Sequence, residues 1–493
     1  SSGSRSNWTS SEIAPLRLKF TPPRFLALTL GLVPMVVAPA SALATSSPLT
    51  VAPALQAGAD QAGESQGFRR TYTIHAESAW LGSGRILSPA YITLEKGVIT
   101  RVSSREPQAR KSLLGETKPK IIKVKGRLAP GIVDAWSGLL PMGVSMNRHR
   151  LPQSRVVDSL PVNLPGADPA LSSIIASLRA AGVSAVYMGR ADGELQRGMG
   201  VPVGFSAYDL PFASGEEILD LAVLGNPQSS QLRVQELSNL FQEAVDWKGS
   251  LDEYDDKIEK YEESLEKYQE NLDKFVEKQK GKKTEGKDSQ DAGAKDGKAE
   301  EPKKEEKRPK RPVRPKKPTS SASRDLILAA LDGKSSVRIY AQGVAAIRAA
   351  IELQQKHDLR MSIIGGNQAV ACRFKLAEAG IGVVLDLSKI DQKSDGLSLA
   401  EQFQQLIEAE VDVALSSGGR NLGPMLLTYA GELIAQGVDS EQVWAALTTT
   451  PARLLSQDKN YGQINRGFSG SLILFSGNSP FDASGTFRAH KPK

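Results

Sequence analysis

The chain changes its hydrophobic rhythm several times. Between residues 72 and 102, YTIHAESAWLGSGRILSPAYITLEKGVITRV alternates apolar and polar positions around Gly82-Ser83-Gly84 and Glu95-Lys96-Gly97. That period of two, punctuated by turn residues, predicts short strands of a small sheet. Residues 461–482, YGQINRGFSGSLILFSGNSPFD, have the same character and can pair with the first sheet from the far end of the chain. In between lie SAVYMG (184–189), VRIYAQ (337–342), MSIIGG (361–366), GVVLDL (382–387) and VDVALSS (411–417), separated by helical stretches such as AAIRAAIELQQKH and RFKLAEAG. Continuous apolar runs alternating with helices predict parallel βα units whose strands are buried on both faces. With an insertion set aside, residues 131–246 and 323–459 together approach the roughly 250 residues of a (β/α)8 TIM-type barrel.

The insertion has a rhythm of its own. Leu251, Tyr254, Ile258, Tyr261, Leu265, Tyr268, Leu272 and Phe275 keep an unbroken spacing of three and four, with Asp, Glu and Lys between them. This is a coiled-coil-like seam, or one amphipathic helix lying on the barrel. It gives way to KKEEKRPKRPVRPKKP, a proline-spaced basic run expected to be extended and solvated. The resulting organisation is a leader at 1–44, a flexible Ala/Gly/Ser/Gln segment at 45–67, a first sheet at 68–130, half a barrel at 131–246, the charged insertion at 247–321, the other half at 322–459, and a returning sheet with tail at 460–493.

Composition changes this picture in two places. The formal net charge of +7 is not a property of the folded body, because residues 277–317 carry a surplus of seven positive charges and residues 1–44 a surplus of three. The remainder is slightly acidic, and no specific nucleic-acid partner is expected. The leader places Arg17, Lys19 and Arg24 before the apolar run FLALTLGLVPMVVAPA and the small-x-small triplet Ala42-Leu43-Ala44. This is the layout of a secretory signal and predicts export to the periplasm or cell envelope. The single cysteine, Cys372, excludes an intramolecular disulfide framework and a Cys-rich metal site.

Several segments, in this order, resemble the imidazolonepropionase-like branch of the amidohydrolase superfamily: APGIVDA (129–135), AAGVSAVYMG (180–189), LTTTPARLL (447–455) and YGQINRGFSGSLILF (461–475). The resemblance covers about residues 70–246 and 323–485. It implies a barrel flanked by a composite β-sandwich drawn from both chain ends, and a divalent metal, zinc or another, held by histidines at the C-terminal ends of the barrel strands. The family pattern runs PG-hydrophobic-hydrophobic-D-A-H-x-H, and the two histidine places hold Trp136 and Gly138 here. The ends of strands five, six and eight, where the family has two further histidines and an aspartate, present Tyr340 and Gln342, then Gly365, then Gly418.

A catalytic zinc needs about three lone-pair ligands at about 2.0–2.2 Å and an open position for water. An indole is only a donor and glycine has no side chain. Of the four histidines, His75 falls in the small sheet, His357 at a helix end and His490 in the tail. His149 falls in a loop after strand one that could face the barrel mouth. Asp134 is at the family's aspartate position, a hydrogen-bond acceptor or a catalytic acid, and Asp386 and Asp192 fall at strand or loop ends, as N-caps or mouth residues.

The expectation is an exported amidohydrolase-like protein with a lost metal centre and no resident cofactor, acting in binding or assembly. A hydrolase acting on non-peptide C–N bonds of cyclic amides or N-acyl compounds, using Asp134 or Asp386, is the alternative. Expected partners are a small molecule at a mouth floored by Trp136, Tyr340 and Gln342, a homo-oligomer or a hetero-oligomer with an active paralogue, and an anionic envelope surface met by residues 303–317.

Overall fold

The computed structural model describes residues 71–82, 84–108, 110–112, 115–117, 120–139, 155–160, 169–189, 195–205, 211–223, 227–285, 308–477, 479–481 and 487–490. The leader, His149 and Asp192 lie outside these residues. The alternating N-terminal segments form β1 (Thr71–Ala76), β2 (Ser78–Trp80), β3 (Ile86–Leu87), β4 (Ala90–Glu95), β5 (Val98–Ser103), β6 (Arg110–Ser112), β7 (Gly115–Thr117), β8 (Lys120–Lys123) and β9 (Arg127–Pro130). Strands β5-β4-β1-β8 make one sheet, and β6 pairs β7. A second sheet has the order β20-β19-β9-β2-β3 and recruits β19 (Leu472–Phe475) and β20 (Phe487–His490) from the other end of the chain. Side chains of both sheets share one core in which Ile74, Ile92 and Leu94 meet Leu128, Ile464 and Leu472.

The third sheet runs β10 (Ile132–Asp134), β11 (Val183–Met188), β12 (Gln196–Phe205), β14 (Ile218–Val223), β15 (Val337–Ala341), β16 (Met361–Gly365), β17 (Gly382–Asp386) and β18 (Val413–Ser416), with β13 (Pro211–Ala213) on the side of β12. A parallel bridge between Ser137 and Arg420 brings the first and last strands together, so the sheet is nearly closed into a barrel. Its strands are parallel with one exception. β12 runs antiparallel to both neighbours, which corrects the expectation of eight parallel βα units at the third position. Only seven residues separate β11 from β12, a connection that suffices for an antiparallel pair but not for a parallel crossover.

Around the barrel stand α1 (Pro169–Ala180), α2 (Pro227–Glu285), α3 (Ala322–Leu331), α4 (Val344–His357), α5 (Arg373–Glu378), α6 (Leu399–Glu408), α7 (Leu426–Ala435), α8 (Ser440–Leu447) and α9 (Thr449–Leu454). All but α9, whose Ala452 packs with the inward-facing side chains, lie on the outward phase of the strands, so Leu219, Leu221, Ile339 and Val383 join one large core with Ile347, Leu376 and Phe403. The inward phase forms a smaller cluster of Val133, Ala185, Tyr187, Ile218, Ala222, Tyr340, Ile364, Val384 and Ala414. The period of two thus sorts each buried strand onto two cores. Local signals set the helix starts where they are clear: α6 begins in a capping box between Ser398 and Glu401.

The charged insertion differs from expectation in two ways. Its helix is continuous with the barrel-side helix and starts at Pro227, not near residue 247, because Leu237, Phe241 and Ala244 are buried in the barrel's outer core. In addition, the proline tract after it is not uniformly solvated. Pro309, Pro312, Pro315 and Pro318 are each half-buried, while the residues between them are exposed. Among the described residues no helix is long and apolar enough to cross a membrane.

Candidate functional site

The C-terminal ends of the barrel strands gather the residues singled out from sequence, and they touch one another. The Trp136 indole stands edge-on to Tyr340, with ring centroids 5.9 Å apart at 76°. Gly365 lies beside both Trp136 and Gln342: a Cβ there would meet Gln342 Cγ at 3.4 Å and the indole at 3.8 Å. Gln342 itself is exposed, and Trp136 is only half-buried, so the indole roofs the inner cluster without being enclosed by it.

Two of the glycines are sterically committed. A Cβ on Gly138 would lie 2.6 Å from the Arg420 carbonyl carbon, 2.7 Å from Arg420 Cα and 2.8 Å from the Gly419 oxygen, all backbone atoms that cannot rotate away. Gly418 has φ +69° and a Cβ there would fall 2.1 Å from Asp386 Oδ1. Backbone and carboxylate therefore occupy the space that a ligand side chain would need at both positions.

The carboxylates are engaged. Asp134, 1% exposed, accepts hydrogen bonds at Oδ1 from the Ser417 (3.1 Å) and Trp136 (3.2 Å) backbone N–H groups, and at Oδ2 from the Ser417 hydroxyl (2.5 Å). These bonds join β10 to the loop after β18 across the barrel seam. Burial pushes this carboxyl up, while the bonds from Ser417 and Trp136 pull it down. Asp386 accepts at Oδ1 from the Ser388 N–H (3.0 Å) and hydroxyl (2.6 Å), capping a short 3-10 turn. His75 stacks on Tyr91 and His357 on Phe241, neither near the mouth residues in sheet or sequence, and His490 lies in β20.

Deeper in the barrel is a charged cluster that hydropathy patterns did not single out. In the parallel register of β14 and β15, Asp220 stands opposite Arg338, and both are 1% exposed. The Arg338 guanidinium lies 3.6 Å over the Tyr187 ring and its Nη2 donates to the Ala135 carbonyl at 2.7 Å. Tyr187 donates its hydroxyl to Asp220 Oδ2 at 3.0 Å. Arg197 reaches the same space because the β12–β14 register shifts between Gln196 and Gly198. A bulge re-aims the extra residue, and the Arg197 guanidinium sits 4.2 Å over the Tyr340 ring. Gly200 makes room, since a Cβ there would be 2.1 Å from the Tyr187 hydroxyl and 2.9 Å from Asp220 Oδ2. Arg338 Nη1, Asp220 Oδ1 and Trp136 Nε1 are buried without a hydrogen-bond partner among the described residues. The sequence signal for this cluster was the placing of charges in the inward phase of runs such as VRIYAQ.

Burial dominates the titration of these groups. It pushes the Tyr340 hydroxyl up to about 12, and the Asp220 carboxyl up to about 6 against the opposing pull of Arg338, the Tyr187 hydroxyl and Arg197. The folded protein therefore holds the Asp220 proton more tightly than the unfolded chain does, so this group lowers stability as pH rises. The loss starts near pH 4, is complete above about pH 6, and amounts to at most about 3 kcal/mol. Asp220→Asn is expected to flatten the denaturant midpoint across that window. A variant whose midpoint keeps the parent's pH slope would assign the titration to another group.

The described residues do not supply a donor set that fits the metal implied by the resemblance. Among the described residues no group of three or more His, Cys, Asp or Glu could hold an ion, and the Gly138 and Gly418 positions have no space for a ligand.

No protein-family model matches the chain, and no curated protein does. Solved structures do. An amidohydrolase from Thermotoga maritima MSB8 is 17% identical with a TM-score of 0.58, covering 85% of this chain and 97% of that one. A Xaa-Pro dipeptidase with bound methionine is 15% identical, TM-score 0.43, covering 84% and 95%. An adenosine deaminase from Xanthomonas campestris with bound zinc is 14% identical, TM-score 0.40, covering 82% and 84%. The first of these likenesses shows that this chain has the fold of an amidohydrolase barrel.

Proposed function

We propose that this protein is a non-catalytic, exported barrel of the amidohydrolase fold that acts by binding. The observation that carries the reading is Gly138. Where the family places a metal ligand, backbone atoms of Gly419 and Arg420 stand within 2.8 Å of even a Cβ. Trp136, Gln342, Gly365 and Gly418 support it, since none offers a good metal donor. Asp134 and Asp386, the carboxylates that the sequence offered as the base of a C–N hydrolase without metal, are both tied into hydrogen bonds that hold backbone segments together.

Within this reading the partner is a small polar molecule that enters at the barrel mouth and reaches the interior below it; Trp136 Nε1 at the mouth, and Arg338 Nη1 and Asp220 Oδ1 deeper, are buried without partners among the described residues. Leaving such groups unsatisfied costs about 1–3 kcal/mol each, which a ligand or waters would recover. An active paralogue or a second copy is the assembly partner, and the leader at 1–44 directs the chain to the envelope. Metal analysis of dialysed protein is expected to find no stoichiometric divalent ion, and cyclic amides and N-acyl amino acids are expected to remain intact. Stoichiometric zinc located at the mouth by anomalous scattering, or turnover of any such amide, would overturn the proposal.

A further inference from the structure

Independently of what the barrel binds, we infer that the proline tract 308–318 lies along the seam of α2 as a polyproline II strand, making a closed, rigid arm whose outer ridge of cations binds a linear phosphate polymer. The first observation is phase. Pro309, Pro312, Pro315 and Pro318 are half-buried and every residue between them is exposed, which is the three-residue repeat of polyproline II. Apolarity is not the cause, because Val313, within the tract but out of phase, is 90% exposed.

The second observation is the seam itself. Leu251, Tyr254, Ile258, Tyr261, Leu265, Tyr268, Leu272 and Phe275 are all half-buried, and the residues around them are exposed. Leu232 and Val276, on the same helix but outside the seam, are 68% and 42% exposed. Something covers the seam, and the lengths identify it. From residue 308 to residue 318 a polyproline II strand spans about 31 Å, most of the about 36 Å that the helix spans from Leu251 to Phe275. Prolines recur every ~9.3 Å and the seam rings every ~10.5 Å, so the two repeats stay nearly in step along the arm.

The two elements are also pinned where they meet the barrel. Lys248 Nζ pairs with Asp332 Oδ1 at 2.7 Å, and Arg324 lies 5.8 Å over the Trp247 ring. The tract therefore re-enters α3 beside the start of the seam and runs antiparallel to it.

With one face of the three-sided strand against the helix, a second face carries Arg308, Arg311, Arg314 and Lys317 in a single row. All four are exposed. No side-chain hydrogen bond or ion pair among the described residues engages them. Four cations at ~9.3 Å intervals match charges strung along a line, and guanidinium groups suit phosphate geometry. A flat anionic membrane fits less well. It would have to approach the carboxylates of Glu253, Asp256, Glu263 and Glu270 on the adjoining helix, within the ~8 Å over which charges are felt at physiological salt.

The test uses the full chain in a Cys372→Ser background. Spin labels at Asn271→Cys and Lys310→Cys are expected to give one narrow distance. The same pair in a variant with all four prolines changed to Ser is expected to give a broad one. Long-chain polyphosphate should bind the parent with an affinity that falls steeply with salt, and the Arg308→Gln, Arg311→Gln, Arg314→Gln, Lys317→Gln combination should weaken it about tenfold or more. The four-proline variant, with every charge kept, should also bind several-fold more weakly. A broad distance distribution in the parent overturns the closed arm. Equal binding by the glutamine variant overturns the ridge as the site, and equal binding to phosphatidylglycerol vesicles overturns the linear polymer as the ligand.

Discussion

Arg338→Met is expected to destabilise the protein by about 3–5 kcal/mol, the order of the cost of leaving a buried charge without the opposite charge near it. The reason is specific to the barrel interior. Arg338 faces Asp220 across the β14–β15 register, is stacked on Tyr187, and helps to hold a carboxylate that burial already drives towards protonation. Without the guanidinium, Asp220 loses the strongest influence that favours its charged form, and the Ala135 carbonyl loses its donor. Methionine keeps most of the aliphatic volume, so the loss should be electrostatic more than a matter of packing. Adding Asp220→Asn to Arg338→Met should then recover a large part of the midpoint in a urea titration, because two neutral groups leave no orphaned charge. If the two substitutions simply add, the pair is not coupled and the cluster is a set of separate contacts.

Gly418→Asp, which returns the acid that the amidohydrolase pattern has at the end of the last barrel strand, should cost about 3–5 kcal/mol and confer no activity. The left-handed backbone there, φ +69°, penalises a side chain by about 1–2 kcal/mol, and forcing atoms into occupied space adds about 1–3 kcal/mol. The occupied space is the Asp386 carboxylate, which a Cβ would meet at 2.1 Å, so the new acid would also be placed against an existing one. Gly418→Ala should show most of the loss, since the clash begins at Cβ. A Gly418→Asp protein as stable as the parent would mean that the loop after β18 adjusts freely and that position 418 is not sterically closed to a side chain.

The strands and the helices between them were legible because burial on both faces leaves an apolar run, and such runs at 184–189, 337–342, 361–366 and 382–387 coincide with β11, β15, β16 and β17. That Trp136, Gly138, Gly365 and Gly418 offer no metal donor was legible for a simpler reason: a glycine or an indole has no suitable lone pair wherever the chain places it. Three features were not legible. The reversal of β12 depends on pairing between strands, which local periodicity does not encode. The inward turn of Arg197 depends on a bulge defined only by its partner strand. The coupling of Asp220, Arg338 and Tyr187 depends on residues that lie far apart along the chain and share a register position and a ring contact only once the barrel is formed. The sequence by itself determined which elements and chemical groups are available: strands, helices, a charged insertion, and no histidine at Trp136, Gly138, Tyr340, Gln342, Gly365 or Gly418. The tertiary structure decided which of those groups are buried against each other. Register and closure bring distant residues to within a few ångströms, and at that range burial and pairing set the charge each one carries.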